Sequence, residues 1–145
     1  MVLRLLEPEH LGPVMALVTD TFEQIFSQDM YLSILQAWPE GQIIDIENGR
    51  LAGVLLSMRR SATRGRILVM AVETEWRDAG IGSALLRAFV KQCAREGLMS
   101  VVLEVRVSNL RAQEFYRRYG FGEEDHIDSY YPDDEDAIVM TRNVV

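Results

Sequence analysis

The sequence predicts a single α/β (α+β) domain, a mixed and mainly antiparallel sheet of about six to seven strands flanked by about four helices. Three observations carry this expectation. The chain has 145 residues, the usual size of one domain, and no internal repeat, low-complexity stretch or long linker divides it. Its apolar periodicity alternates between strand-like and helix-like in the order β-α-α-β-β-β-α-β-α-β-β. Asn48-Gly49 joins two apolar segments as a two-residue hairpin turn, because both positions favour positive φ.

The elements follow in order. Val2–Leu6 reads as a short strand. Pro8 suits the first turn of a helix, where its missing N–H is not needed, and Leu11, Val14, Met15 and Val18 then fall on one inward face. Ser27 or Asp29 caps a second helix reaching to about Trp38, and Pro39-Glu40-Gly41 ends it. Gln42–Glu47 and Arg50–Met58 form the hairpin. Arg59 to Gly65 is a loop of small and basic residues before the strand Ile67–Val72. Gly80 to Arg95 is a helix with Ile81, Leu85, Ala88, Phe89 and Gln92 on one face, terminated by Gly97. Val101–Val105 is a strand, Asn109–Tyr119 a helix, and Phe121–Ile127 and Ala137–Arg142 are the last two strands. Helices on both faces of the sheet accommodate this order.

Composition narrows the function classes. A net charge of −7 disfavours nucleic acid, whose phosphates need a positive field, and mildly favours cationic substrates such as amines. One cysteine, Cys93, excludes an internal disulfide and fits a reducing cytoplasm. The only histidines are His10 and His126, so no metal cluster is expected. The N-terminus lacks the basic and apolar regions of a signal peptide, and the longest apolar run, Ile67 to Val72, is too short to span a bilayer. A cytoplasmic protein without a membrane partner is the expectation.

The segment ILVMAVETEWRDAGIGSALL runs from a strand through a turn into a helix, with Gly80 and Gly82 at the start of that helix. The glycines admit two readings. They form a tight structural turn, or they let phosphate oxygens approach the unpaired N–H groups and positive dipole end of the helix. The dinucleotide fingerprint is ruled out because its third glycine is absent. The full pattern, an apolar strand followed by Arg77-x-x-Gly80-x-Gly82, resembles the acetyl-CoA motif of the GCN5-related N-acetyltransferase (GNAT) superfamily. That resemblance implies acetyl-CoA as co-substrate. The strand backbone at Met70, Ala71 and Val72 would hold its pantetheine arm, and Arg77, Asp78, Ala79, Gly80, Ile81, Gly82 and Ser83 would surround its pyrophosphate. Asp78 departs from the pattern, since many relatives carry a basic or amide residue there; pairing with Arg77 would offset its charge.

A second constellation is LEVRVSNLRAQEFYRRYGF. Glu104 interrupts an apolar strand, so it either faces solvent or is held for chemistry. Asn109 is placed to cap the following helix, and Tyr116, two turns on, either packs against Phe115 and Phe121 or acts in the site. Together with SYYPDDEDAIVM, these residues resemble the protein N-terminal acetyltransferases, particularly the ribosomal-protein-alanine (RimI-like) group. By that resemblance Glu104 is the proton acceptor, Asn109 contacts acetyl-CoA, Tyr116 is the proton donor, and Tyr130 and Tyr131 lie over the N-terminus of a peptide or protein. Phe26, in the segment from Phe22 to Asp29 that shapes the acceptor groove in the superfamily, also falls to the substrate. The reaction implied is direct acetyl transfer in a ternary complex without a metal. The alternatives are a small-molecule amine acetyltransferase and, in another class, a non-catalytic acyl-CoA-binding module. Cys93 lies mid-helix with no adjacent histidine and reads as packing, and the acidic run Asp133 to Asp136 is either a solvated loop or an attractor of ammonium.

Overall fold

A computed structural model describes residues 2–22 and 26–144. Seven strands form one sheet in the order β1-β2-β3-β4-β5-β7-β6. They are β1 (Val2–Leu5), β2 (Ile43–Glu47), β3 (Arg50–Arg59), β4 (Arg64–Val72), β5 (Ser100–Arg106), β6 (Gly122–Ile127) and β7 (Ala137–Asn143). Every neighbouring pair is antiparallel except β4 and β5. The hairpin turn is as expected, with φ of 52° at Asn48 and 76° at Gly49.

Among the described residues four α-helices cover the sheet: α1 (Leu11–Phe22), α2 (Gln28–Ala37), α3 (Ile81–Arg95) and α4 (Leu110–Arg118). Two apolar cores result, one on each face. Leu11, Val14, Leu17 and Val18 of α1 and Tyr31 and Ile34 of α2 pack on Ile44, Val54, Leu56, Val69 and Ala71. Met15 is only partly buried there, and Leu17 takes the inward position. On the other face α3 contributes Ile81, Leu85, Leu86, Phe89 and Cys93, joined by Tyr116 of α4. Gln92 is not part of that face; its amide donates to Glu96 at the rim. Ser27 is the cap of α2, its Oγ accepting from the N–H of Met30 at 3.2 Å.

Two features of β4 position the site. The strand begins at Arg64, inside the segment expected to be a loop. It also carries a bulge: Leu56 faces Val69 and Ser57 faces Ile67, which leaves Leu68 as the extra residue. The bulge exchanges the faces. Before it Gly65 and Ile67 look toward α3; after it Met70 and Val72 do, while Val69 and Ala71 join the α1/α2 core. Just before the bulge β4 also leaves β5. The two strands pair only over Arg64–Arg66 and Ser100–Val102, and then part.

Candidate active site

The parting of β4 and β5 opens a groove of about 580 Å³ on the α3/α4 side. Met70, Ala71 and Val72 form one wall, Arg77, Asp78 and Gly80 to Ser83 the floor, and Asn109, Arg111, Ala112, Phe115, Tyr116 and Arg118 the opposite wall. Glu73 donates its N–H to the Ala52 carbonyl at 2.8 Å, so strand alternation turns the backbone of Ala71 toward β3 and that of Met70 and Val72 toward the gap. The Val72 carbonyl there accepts from Arg77 Nε at 3.2 Å. Gly80, at φ 84°, is the N-cap of α3 in left-handed conformation. A Cβ at Gly82 would meet only Met70 and Phe115, at an ordinary 3.7 Å. Packing therefore does not require glycine at 82, a position that lines the groove. Among the described residues three arginines to one aspartate line a groove in a chain of net charge −7, which suits a ligand bearing phosphates.

Tyr116 reaches the groove from the second turn of α4, 8% exposed. Its ring is held edge-on by Phe115 and Phe121, with centroids at 5.3 and 5.5 Å. Burial pushes its phenol well above the ordinary value of 10, so it stays protonated and can donate. Asn109 caps α4, its Oδ1 accepting from the N–H of Ala112 at 3.1 Å.

Glu104 lies on the opposite face of the sheet. In β5, Val101, Leu103 and Val105 enter the α3-side core, and alternation sends Glu104 the other way. There it lines a cavity of about 210 Å³ with Arg60, Arg64, Val102, Glu124, Asp125, Ile127 and Val139. Its side chain is 9% exposed and is gripped by Arg66, whose Nε and Nη2 lie 3.2 and 3.1 Å from the carboxylate oxygens; Arg60 stands at 3.7 Å. Arg66 also donates to the Tyr130 hydroxyl at 3.1 Å. Tyr130 and Tyr131 stand edge to face, and the Arg106 guanidinium lies 4.1 Å from the Tyr131 ring centroid. The carboxylate is thus tied to the tyrosine loop.

Comparison with known proteins identifies the frame. The model of the acetyltransferase (GNAT) family matches residues 11–121. The chain belongs to this family. An uncharacterised N-acetyltransferase of Methanocaldococcus jannaschii is 31% identical over 143 residues, covering 98% of this chain and 91% of its own. N-alpha-acetyltransferase 30 of Schizosaccharomyces pombe is 28% identical over 133 residues, 89% of each chain. The crystal structure of Ard1 from Thermoplasma volcanium superposes with a TM-score of 0.95 at 32% identity, covering 99% and 97% of the two chains. The chain is accordingly an N-acetyltransferase, and the fold is the GNAT fold.

Within this GNAT frame the expected residues separate into two groups. Met70, Ala71, Val72, Arg77, Asp78, Gly80, Ile81, Gly82, Ser83, Asn109 and Tyr116 share the groove; Ala79 does not line it. Glu104, Tyr130 and Tyr131 gather on the other face. Phe26 packs against the α1/α2 core, and Thr21 and Phe22 at the end of α1 line the groove instead. Residues 23–25 of the segment from Phe22 to Asp29 lie outside the described residues. The partner of Asp78 is Arg111, at 3.1 Å, and not Arg77, which is turned back to β4. The arginines 60, 64 and 66 were unsignalled, because a basic run before a strand reads as a solvated loop.

The acidic run is neither a bare solvated loop nor a free attractor. Asp133 and Glu135 hold Arg106, and Asp136 accepts from Ser129 N–H and pairs with His126 at 2.8 Å. His126 thereby meets Asp128 and Asp136 in an exposed group that the histidine count alone did not anticipate. Cys93 is buried, and burial, followed by the charge of Glu96, pushes its thiol up to about 12, which leaves it protonated and inert. Among the described residues no helix is long and apolar enough to cross a membrane.

Proposed function

We propose that the chain transfers the acetyl group of acetyl-CoA to the N-terminal α-amino group of a protein or peptide, by direct attack within a ternary complex. The observation that carries this reading is the parted pair β4 and β5, with a phosphate-compatible groove on one face and the Glu104 cavity on the other. Donor and acceptor approach from opposite faces and meet in the gap.

In the step proposed, the amine nitrogen forms a bond to the acetyl carbonyl carbon and the carbon–sulfur bond breaks. The attacking amine must be neutral. A free α-amino group has a pKa of about 7.7–8.0, against about 10.4 for a lysine side chain, so one carboxylate acting through water suffices for the former. Glu104 takes that proton. Backbone N–H groups of β4 facing the gap polarise the thioester carbonyl. The sulfur departs as a thiolate, and the protonated Tyr116 donates to it. With a phenol shifted above 10 and a thiol near 8.5, full transfer of that proton is uphill; a hydrogen bond that steadies the thiolate is the larger part of the role. The relatives named as N-alpha-acetyltransferases support the acceptor class.

The test is acetyl-CoA turnover against peptides with free N-termini, N-blocked peptides containing lysine, and small polyamines. Turnover with free N-termini alone is expected. Turnover confined to polyamines would remove the peptide reading and leave the transferase.

A further inference from the structure

Among the described residues Asp78 is the one acidic side chain lining the donor groove, and the acetyl-transfer chemistry gives it no task. It belongs to the turn before α3, on the groove floor, and adopts a left-handed backbone with φ 63°. Its partner, Arg111, belongs to the first turn of α4 on the opposite wall. The Arg111 Nη2 to Asp78 Oδ1 contact of 3.1 Å therefore crosses the groove rather than running along one side. Both side chains are highly exposed, 79% for Arg111 and 82% for Asp78. Neither is needed for packing, and either can be hydrated when the other leaves.

We propose that Asp78 and Arg111 form a latch across the phosphate side of the donor groove, in which Asp78 competes with the phosphates of the CoA moiety for the Arg111 guanidinium. This rests on the reading of the groove as the donor site. When CoA or acetyl-CoA enters, phosphate oxygens offer a more highly charged, bidentate acceptor and take Arg111 from Asp78. Asp78 then turns to water at little cost because it is already exposed. The effect is a fixed reduction in affinity for substrate and product alike, which eases release of CoA after transfer. Arg77 and Arg118, the other cations of the groove, are outside the latch: Arg77 is bonded to the Val72 carbonyl, and no contact links Arg118 to Asp78 among the described residues.

A double-mutant cycle separates this latch from simple repulsion between Asp78 and the phosphates. Asn tolerates the left-handed backbone that Asp78 adopts, so Asp78→Asn removes charge without strain. CoA affinity is measured by calorimetry at low ionic strength for the native chain, Asp78→Asn, Arg111→Gln and the double variant. With Arg111 present, Asp78→Asn is expected to tighten CoA about two- to fivefold, the range an exposed ion pair allows. In the Arg111→Gln background the same substitution is expected to gain nothing. An equal gain in both backgrounds would overturn the latch in favour of direct repulsion, and no gain in either would overturn it outright. Failure of the native chain to bind CoA at all removes the donor reading itself, and the latch with it.

Discussion

Tyr116 and Glu104 illustrate how two residues of one proposed reaction are governed by different surroundings. Tyr116 is held by aromatic rings, so removing its hydroxyl leaves the packing of Phe115 and Phe121 in place. Tyr116→Phe is expected to lower kcat on the order of 10²-fold, with CoA affinity nearly unchanged. Full turnover in single-turnover and steady-state assays would take the phenol out of the chemistry. Glu104 is held instead by Arg66, and its worth depends on the acceptor's protonation. Below about pH 8 a free N-terminus is mostly ammonium and needs a base; above it the amine is already neutral. The deficit of Glu104→Gln is therefore expected to be deepest near pH 6 and to shrink toward pH 9. A deficit that is flat across a kcat/KM profile would assign Glu104 to binding. The chemical types at these positions were legible in the sequence, but the Arg66 contact was not, because its partners lie 38 and 64 positions away.

At the scale of elements, Gly80 and Gly82 look alike in sequence and differ in what they do. Gly80 needs a left-handed backbone, φ 84°, although a Cβ there would meet nothing within 4 Å. Gly80→Ala is expected to cost stability by about 1–2 kcal/mol through backbone strain alone. Gly82 lies within α3, where alanine is the better helix former by about 0.8–1.0 kcal/mol. Gly82→Ala should leave the thermal midpoint unchanged or raised while weakening CoA about tenfold, equivalent to one lost charge-assisted hydrogen bond. Calorimetry and thermal melts on both variants check the contrast, and equal stability losses would refute it. The glycine motif was visible as a pattern, yet this division of labour required coordinates. The bulge at Leu68 was not visible at all. Residues 67 to 72 are all apolar and pack into one core or the other, so the exchange of faces leaves the run Ile67–Val72 looking like an ordinary buried strand. The earlier start of β4 was hidden for the opposite reason: Arg64 and Arg66 put polar groups on the open face and so read as loop.

Across the whole molecule, the acidic side chains of the described residues lie mostly at the surface, and Asp45, which does not, sets a pH dependence of stability. Asp45 is fully buried in β2, opposite Leu3 of β1 and Gly53 of β3. Burial first, and then its contact with Glu47, raises its carboxyl from 3.8 to about 6. The sign follows from where the proton sits. Between pH 3.8 and about 6 the folded chain retains a proton that the unfolded chain has lost, so folding is favoured most below this window. As pH rises through 6 the folded chain must hold a buried charge, and that part of its stability is lost. Asp45→Asn keeps the shape of the side chain and cannot ionise. It is expected to be on the order of 1–3 kcal/mol more stable than the native chain at pH 7.5, and close to equal at pH 4. Denaturant unfolding of both proteins at the two pH values measures the difference directly. A gap of the same size at both would show that Asp45 acts through packing and not through its charge. The acetylation reaction, with its amine titrating near pH 8, would then run where this buried carboxylate is ionised, and the Asn variant separates the two pH effects by removing only the one in the fold.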